Sequence, residues 1–312
     1  MSRHLISIHE LTAEEVSDLF VAAADIKKNP KSYRSALAGK TLAMIFEKSS
    51  TRTRVSFEVG MYQLGGAALF LSSRDIQLGR GEPISDTARV LGRYCDGIMA
   101  RTFAHQTVLD LASFGSVPVV NGLTDLLHPC QALTDYFTMS ERWGGGPESL
   151  RGRKLAYVGD GNNMAHSLMY CGPKVGMDVA IATPAGYEPN PEVVQNALAD
   201  AAAAGTRLTL TNRMEEAVEG ADAVETDVWA SMGQEGESER RKADFSGWCV
   251  TEELMRRAKT DAIFLHCLPA HREEEVSSEV CDGPRSVIFD EAENRLHVQK
   301  AILVWVMGGN TA

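Results

Sequence analysis

The densest run of chemically able side chains is Phe46-Glu-Lys-Ser-Ser-Thr-Arg-Thr-Arg54. Ser50, Thr51 and Thr53 offer hydroxyl donors, and Arg52 and Arg54 bring permanent positive charge. A planar guanidinium can hold two phosphate oxygens at once. The run follows an apolar segment, Thr41–Phe46, that reads as a buried strand. It leads into Val55–Leu64, where Val55, Val59 and Leu64 fit one helical face. A strand-to-helix junction presents free backbone N–H groups at the positive end of a helix dipole, a natural seat for an anion. A helix cap needs one hydroxyl. Four hydroxyls and two arginines between Ser49 and Arg54 predict an anion site instead.

Further polar residues fall at the ends of predicted strands, where open α/β sheets place their sites. Arg101 follows the strand Gly97–Ala100. His128 and Gln131, in His128-Pro-Cys-Gln131, open a helix predicted over Ala132–Arg142. Gly159-Asp-Gly-Asn-Asn163 follows the strand Lys154–Val158. Asn162 and Asn163 offer amides that accept from an ammonium and donate to a carboxylate, which suits an amino acid. Asp227 ends the strand Ala223–Thr226 and begins Asp227-Val-Trp-Ala-Ser-Met-Gly233; Ser231 and Met232 follow on its loop. His266-Cys-Leu-Pro269 ends the strand Ile263–Leu265, and Arg295 sits in a late helical stretch. Taken singly, each has a plainer reading as a cap, a packing residue or a surface charge. Cys267 is a possible nucleophile, but the sequence places no activating base beside it, so a buried inert thiol is the default. Gly159-Asp-Gly161 resembles a dinucleotide fingerprint that fails at its third glycine, where Met164 stands.

The elements that must position these residues alternate strand and helix. Helices are predicted over 10–27, 86–94, 164–175, 192–204 and 292–307, and further strands over 67–71, 117–121, 179–182 and 207–211. This alternation predicts α/β architecture with two doubly wound domains, each a central parallel sheet flanked by helices. Gly144-Gly-Gly-Pro147 is the clearest break. It places one domain at 1–143 and another at 150–290, with the last helix, 292–312, packing back on the first. The polar loop Ser72–Ser85 contains Gln77, and the stretch 231–239 has the composition of a lid.

Composition narrows the function. The chain has 312 residues, 44% of them hydrophobic, and a net charge of −11. That charge argues against a nucleic-acid surface as the main function. No apolar run reaches the roughly 20 residues of a membrane span. The six cysteines have no CxxC pair, which suits a reduced, cytoplasmic protein without a zinc-type cluster.

Ser-Thr-Arg-Thr after a strand resembles the carbamoyl-phosphate loop of the aspartate/ornithine carbamoyltransferase family. The order of the later motifs extends that resemblance along essentially the whole chain. Ser-Met-Gly and His-Cys-Leu-Pro resemble its ornithine-using branch. The resemblance implies transfer of a carbamoyl group from carbamoyl phosphate to the δ-amine of L-ornithine, giving L-citrulline and phosphate, without metal or organic cofactor. By position, Ser50, Thr51, Arg52 and Thr53 match the carbamoyl-phosphate loop. Arg101, His128, Gln131 and Arg295 match residues around its phosphate or carbamoyl group. Cys267 and Leu268 match the loop between the substrates, and Asn163, Asp227, Ser231 and Met232 match the ornithine positions. Arg101, His128, Cys267 and Asp227 are the implied catalytic set. Gln77 resembles a residue that reaches a neighbouring subunit, since the family is built from trimers. The partners so implied are the two small-molecule substrates and further copies of the chain, as a homotrimer or a multiple of trimers.

Overall fold

The computed structural model describes residues 3–73, 81–230 and 235–308. The chain forms two compact units, Met1–Leu133 with Asn294–Ala312, and Thr134–Glu293. Each is built on a parallel sheet flanked by helices, as the alternation predicts.

In the first unit, helix α1 (Ala13–Lys28) precedes β1 (Thr41–Phe46), α2 (Thr51–Gln63), β2 (Ala67–Ser72), α3 (Ile84–Tyr94), β3 (Gly97–Arg101), α4 (His105–Phe114) and β4 (Val119–Leu123). Thr12 and Glu15 form a reciprocal capping box that starts α1. The sheet order is β2-β1-β3-β4, all parallel. β1 is apolar throughout because both its faces are covered; Leu42 to Ile45 are fully buried. Burying Leu42, Met44 and Ile45 contributes about 1.5–3 kcal/mol each. Gly65 turns α2 into β2 with φ 85°, where a Cβ would lie 2.4 Å from the Arg34 carbonyl oxygen.

Helix α5 (Pro129–Arg142) opens three residues before its predicted start. A proline fits the first turn of a helix, where no N–H is needed. The boundary between the units falls within α5, after Leu133.

The second unit continues with β5 (Lys154–Val158), α6 (Asn163–Val175), β6 (Asp178–Ala182), α7 (Pro191–Ala204), β7 (Leu208–Thr211), α8 (Met214–Val218) and β8 (Ala223–Thr226). After α9 (Ser238–Asp244) and α10 (Glu252–Met255) come β9 (Ile263–His266), α11 (Ser278–Cys281) and α12 (Ile288–Met307). The sheet order is β7-β6-β5-β8-β9, again parallel. Its core packs Val158, Ala182, Val224 and Phe264 against Val250, Met255 and Val280. The second unit ends at Glu293, inside α12.

Three predicted bounds or faces move. The strand read at 117–121 begins at Val119, because Pro118 has no N–H to give the ladder. The last helix starts at Ile288, where Asp290 and Glu291 favour the first turn. On α2 the inward face is Thr53, Ser56, Phe57, Gly60 and Met61, whereas Val55 is 49% exposed. The apolar pattern misled because polar residues of α12 meet this helix.

Candidate active site

In the first sheet the strand order reverses between β1 and β3, the position where a doubly wound sheet opens a crevice. Phe46 pairs with Arg101 in the ladder, and Glu47 N donates to Arg101 O at 2.9 Å. The anion run and Arg101 are therefore neighbours. Ser50 caps α2, its Oγ accepting from Thr53 N at 3.2 Å. Arg295 on α12 donates to Gln131 Oε1, and its Nη2 donates to Thr53 Oγ1 at 3.2 Å. Gln299 lies one turn further. With its amide oxygen toward Arg295 it accepts from Nη2 at 2.8 Å and Nε at 3.1 Å. Thr53, Arg101, His128, Gln131 and Arg295 are all buried. Guanidinium groups held this way are pre-aimed donors with no freedom left to lose.

His128 is uncharged here. Burial, then the positive charges of Arg295, Arg101 and Lys48, hold its imidazole well below the usual histidine range. A neutral imidazole still donates from one nitrogen. Lys48, which the sequence reading did not single out, is also buried. It is ion-paired with Asp125, and its ammonium lies 4.7 Å from the centre of the Phe103 ring. The only sequence signal for it was its place inside the anion run. Arg54 belongs to that run but is engaged elsewhere, on Glu58 at 3.1 Å and over the Phe70 ring at 3.7 Å. Thr51 is exposed and Arg52 partly so, at the open end of α2.

The second sheet reverses between β5 and β8. Asn162 caps α6, its Oδ1 accepting from Met164 N at 2.8 Å and Ala165 N at 3.4 Å. Its Nδ2 donates to Asp227 Oδ2 at 3.1 Å. Asp227 Oδ1 accepts from Val228 N at 2.8 Å and from Cys267 Sγ at 3.1 Å. One carboxylate thus gathers donors from the ends of β5, β8 and β9. Asn163 is buried at the first position of α6. Burial, then Asp227 and Glu291, push the Cys267 thiol well above its usual value, so it is a hydrogen-bond donor and not a thiolate. His266 is fully buried; its Nδ1 accepts from Leu268 N at 2.9 Å, which leaves Nε2–H to donate to Glu275 at 3.2 Å. Leu268 has φ 59° and begins a cis peptide with Pro269.

Residues 231–234 are flanked by an anchor that sequence reading missed. Arg241 on α9 pairs with Asp160 at 2.8 Å and donates to the Trp229 carbonyl at 2.8 Å. Both charges are buried, and Trp229 stacks on Phe245 at 5.6 Å. An i+81 pairing leaves no local trace in sequence. The predicted site residues Gln77, Ser231 and Met232 lie outside the described residues.

Gly161 has a structural reason that differs from nucleotide binding. Its N–H bonds Tyr187 O at 2.9 Å, and a Cβ there would lie 2.4–2.5 Å from the backbone of 187–189. Protein backbone fills the space that a pyrophosphate would need.

Asp227, His266 and Cys267 bring one ligand atom each within 4.8 Å of one another, and so do His271, Glu274 and Glu275. The first grouping joins residues 40 apart, which is why no cluster was visible in the spacing. Its atoms are already engaged in the hydrogen bonds above. Among the described residues no helix is long and apolar enough to cross a membrane.

Comparison with known proteins agrees with this layout. Residues 3–141 match the family described as aspartate/ornithine carbamoyltransferase, carbamoyl-P binding domain, and residues 151–306 its Asp/Orn binding domain. An ornithine carbamoyltransferase of Thermococcus kodakarensis is 55% identical over 98% of this chain and 97% of its own. An anabolic ornithine carbamoyltransferase of Pyrococcus furiosus is 54% identical over 98% and 97%. Among solved structures, ornithine carbamoyltransferase from Pyrococcus furiosus superposes with a TM-score of 0.94 at 53% identity, covering 99% of this chain and 98% of that one. The anabolic enzyme from Campylobacter jejuni gives 0.91 at 42%, covering 97% and 98%.

Proposed function

Because this chain belongs to the aspartate/ornithine carbamoyltransferase family, we propose that it transfers the carbamoyl group of carbamoyl phosphate to the δ-amine of L-ornithine, giving L-citrulline and phosphate. It is a carbamoyltransferase; its relatives' names support ornithine as the acceptor, and those of two of them, described as anabolic, favour a biosynthetic over a catabolic direction. The observation that carries the assignment is the convergence of Arg295 on Gln131 and Thr53 beside the α2 N-terminus, a built seat for a phosphate-bearing anion.

The residue roles follow from position and chemistry. Residues 1–143 supply the carbamoyl-phosphate site and residues 150–290 the ornithine site, with 292–312 completing the first. Ser50, Thr51, Arg52 and Thr53 hold the phosphate. Arg101, His128, Gln131 and Arg295 surround the phosphate and the carbamoyl oxygen. Gln77 contributes to this site on a neighbouring copy. Attack by the amine builds negative charge on that oxygen, and donors aimed at it beforehand are worth about 10²–10³ in rate each. Neutral His128 donates there without bringing charge of its own. Asn163, Asp227, Ser231 and Met232 bind ornithine. Cys267 and Leu268 form the loop that meets both substrates, with Cys267 acting as a thiol donor. None of these steps calls on a metal or an organic cofactor.

The working assembly is a homotrimer or a multiple of trimers, and its place is the cytoplasm. Exposed apolar side chains support the assembly: Val55 and Tyr62 on α2, and Leu69 and Phe70 on the edge strand β2, are 49%, 81%, 49% and 36% exposed. Strands of parallel sheets are normally covered, so this edge is suited to a second copy. Sedimentation at micromolar protein tests it.

The decisive assay is citrulline formation from carbamoyl phosphate and L-ornithine, with putrescine, N-acetylornithine and L-aspartate in parallel. Turnover with ornithine supports the assignment. Turnover only with another amine keeps the anion site and overturns the reading of Asp227.

A further inference from the structure

The stretch His271-Arg-Glu-Glu-Glu275 follows the loop of Cys267 and Leu268 and takes no part in the proposed chemistry. The backbone turns tightly here: Glu274 N donates to His271 O at 3.0 Å, and Glu273 N to Val276 O at 2.8 Å. This turn sets His271, Glu274 and Glu275 side by side. His271 Nδ1 lies 4.0 Å from Glu274 Oε2 and 3.9 Å from Glu275 Oε2. One ligand atom from each of the three falls within 4.8 Å of the other two.

The two carboxylates are held differently. Glu275 is fully buried. Its Oε1 accepts from His266 Nε2 at 3.2 Å and from the backbone N–H of His271. Its Oε2 is buried and has no hydrogen-bond partner among the described residues. A buried carboxylate oxygen left without a donor is costly, and this one faces His271. An ion pair with a protonated imidazole does not satisfy it, because 3.9 Å is beyond hydrogen-bond reach. Glu274 is partly exposed; its Oε1 pairs with Lys242 Nζ of α9 at 2.9 Å, while its Oε2 lies toward His271. The His271 side chain is 55% exposed. A cavity of about 330 Å³, lined by Trp229, Lys242, His271 and Glu274 among others, gives solvent a way in.

We propose that His271, Glu274 and Glu275 form a site for a divalent transition-metal ion, zinc being the best match, which braces the turn behind the Cys267–Leu268 loop. An imidazole and two carboxylates are zinc donors of the right kind, and solvent from the cavity completes the coordination. Bonds near 2.1 Å to a tetrahedral ion set its ligand atoms about 3.4 Å apart, so the three atoms need to draw in by about 0.5–1.4 Å. His271 and Glu274 have the freedom to do so. Glu275, gripped by His266 and by the His271 N–H, is the fixed ligand with its orienting bonds already made. Two carboxylates against the one Lys242 ammonium leave the group net negative, which favours a cation. His266 Nδ1 accepts from Leu268 N at 2.9 Å, so an ion on Glu275 sits two hydrogen bonds from Leu268.

The test is titration of the full-length protein with zinc, and with cobalt(II), whose visible spectrum reports its ligands. Zinc should saturate a site at one ion per chain below about 100 μM, and His271→Ala and Glu274→Gln should each weaken it by about tenfold or more. Cobalt in that site should show no thiolate charge-transfer band, and Cys267→Ser should leave its affinity unchanged. Zinc should also raise the melting temperature of wild type and not that of His271→Ala. His271 is exposed, so its truncation leaves the core intact, and matching melting curves without metal check this. A single bound ion with a thiolate band that disappears in Cys267→Ser belongs to Asp227, His266 and Cys267 and overturns the proposal. Binding that survives His271→Ala and Glu274→Gln alike overturns it as well, and so does the absence of saturable binding. None of these readouts uses turnover, so the metal site stands or falls apart from the ornithine assignment.

Discussion

Lowering the pH puts the electrostatics of the anion site under direct test. His128 is 5% exposed, and Arg295, Arg101 and Lys48 all oppose its protonation. In the unfolded chain the same imidazole takes a proton near its ordinary value of 6.5. Below that pH the unfolded state binds a proton that the folded state refuses. Folding stability then falls by about 1.4 kcal/mol for each pH unit that His128 stays neutral. Summed from pH 7.5 to 5.5, across the start of that titration, the loss is about 1.4 kcal/mol, a few degrees of melting temperature for a chain of this size. His128→Gln keeps a neutral donor and has no proton to gain. The stability lost between pH 7.5 and 5.5 should thus be smaller in His128→Gln than in wild type by about that amount, read from urea unfolding at both pH values. The imidazole Cε1–H resonance supplies an independent reading and should not move through this range. A His128 resonance with a midpoint between pH 6 and 7, or identical acid sensitivity in the variant, would refute the three-cation argument.

Other outcomes follow from the same geometry. Arg52→Ala should lower kcat/KM for carbamoyl phosphate by about 10²–10³, measured by citrulline release; a change under threefold removes Arg52 from the anion seat. Cys267→Ser keeps a donor toward Asp227 and should retain turnover within about tenfold, whereas trapping of a carbamoylated Cys267 by mass spectrometry would reverse the thiol-donor role. Arg241→Ala leaves buried Asp160 without its cation and should cost about 3–5 kcal/mol by denaturant unfolding, with Asp160→Asn in the same chain restoring much of it. Failure of the second change to restore stability would mean that the Trp229 carbonyl contact, not the ion pair, is what Arg241 secures.

The strands and their order of residues were legible because buried parallel strands read as short apolar runs, as in Thr41–Phe46 and Lys154–Val158. The proposed site residues stand out in the sequence where a polar residue ends such a run, as Arg101 and Asp227 do. Partners far apart in sequence were not. Gln299 has only its spacing of four from Arg295 to betray it, and Arg241 meets Asp160 across 81 residues. Lys48 read as part of a cluster because nothing local says that it is buried, whereas Arg54, which lent only its charge to that run, has Glu58 one helical turn on and the Phe70 ring to hold it.

The first unit is closed by residues from the opposite end of the chain. Asn294 accepts from Lys27, Lys300 reaches Gln63, and Arg295 locks Thr53 across 242 residues. A chain emerging from the ribosome can finish the second unit while the first still lacks its final helix. Closing so long a loop carries an entropy penalty that local contacts cannot offset early. The anion seat is therefore assembled last, although most of its side chains are translated first. A nascent or truncated chain ending before Arg295 would hold Ser50 to Thr53 in place without being able to complete the seat they form. On the proposed reading, a chain that stops short of α12 leaves Thr53 without the Arg295 contact, braced by Gln299, that completes the seat.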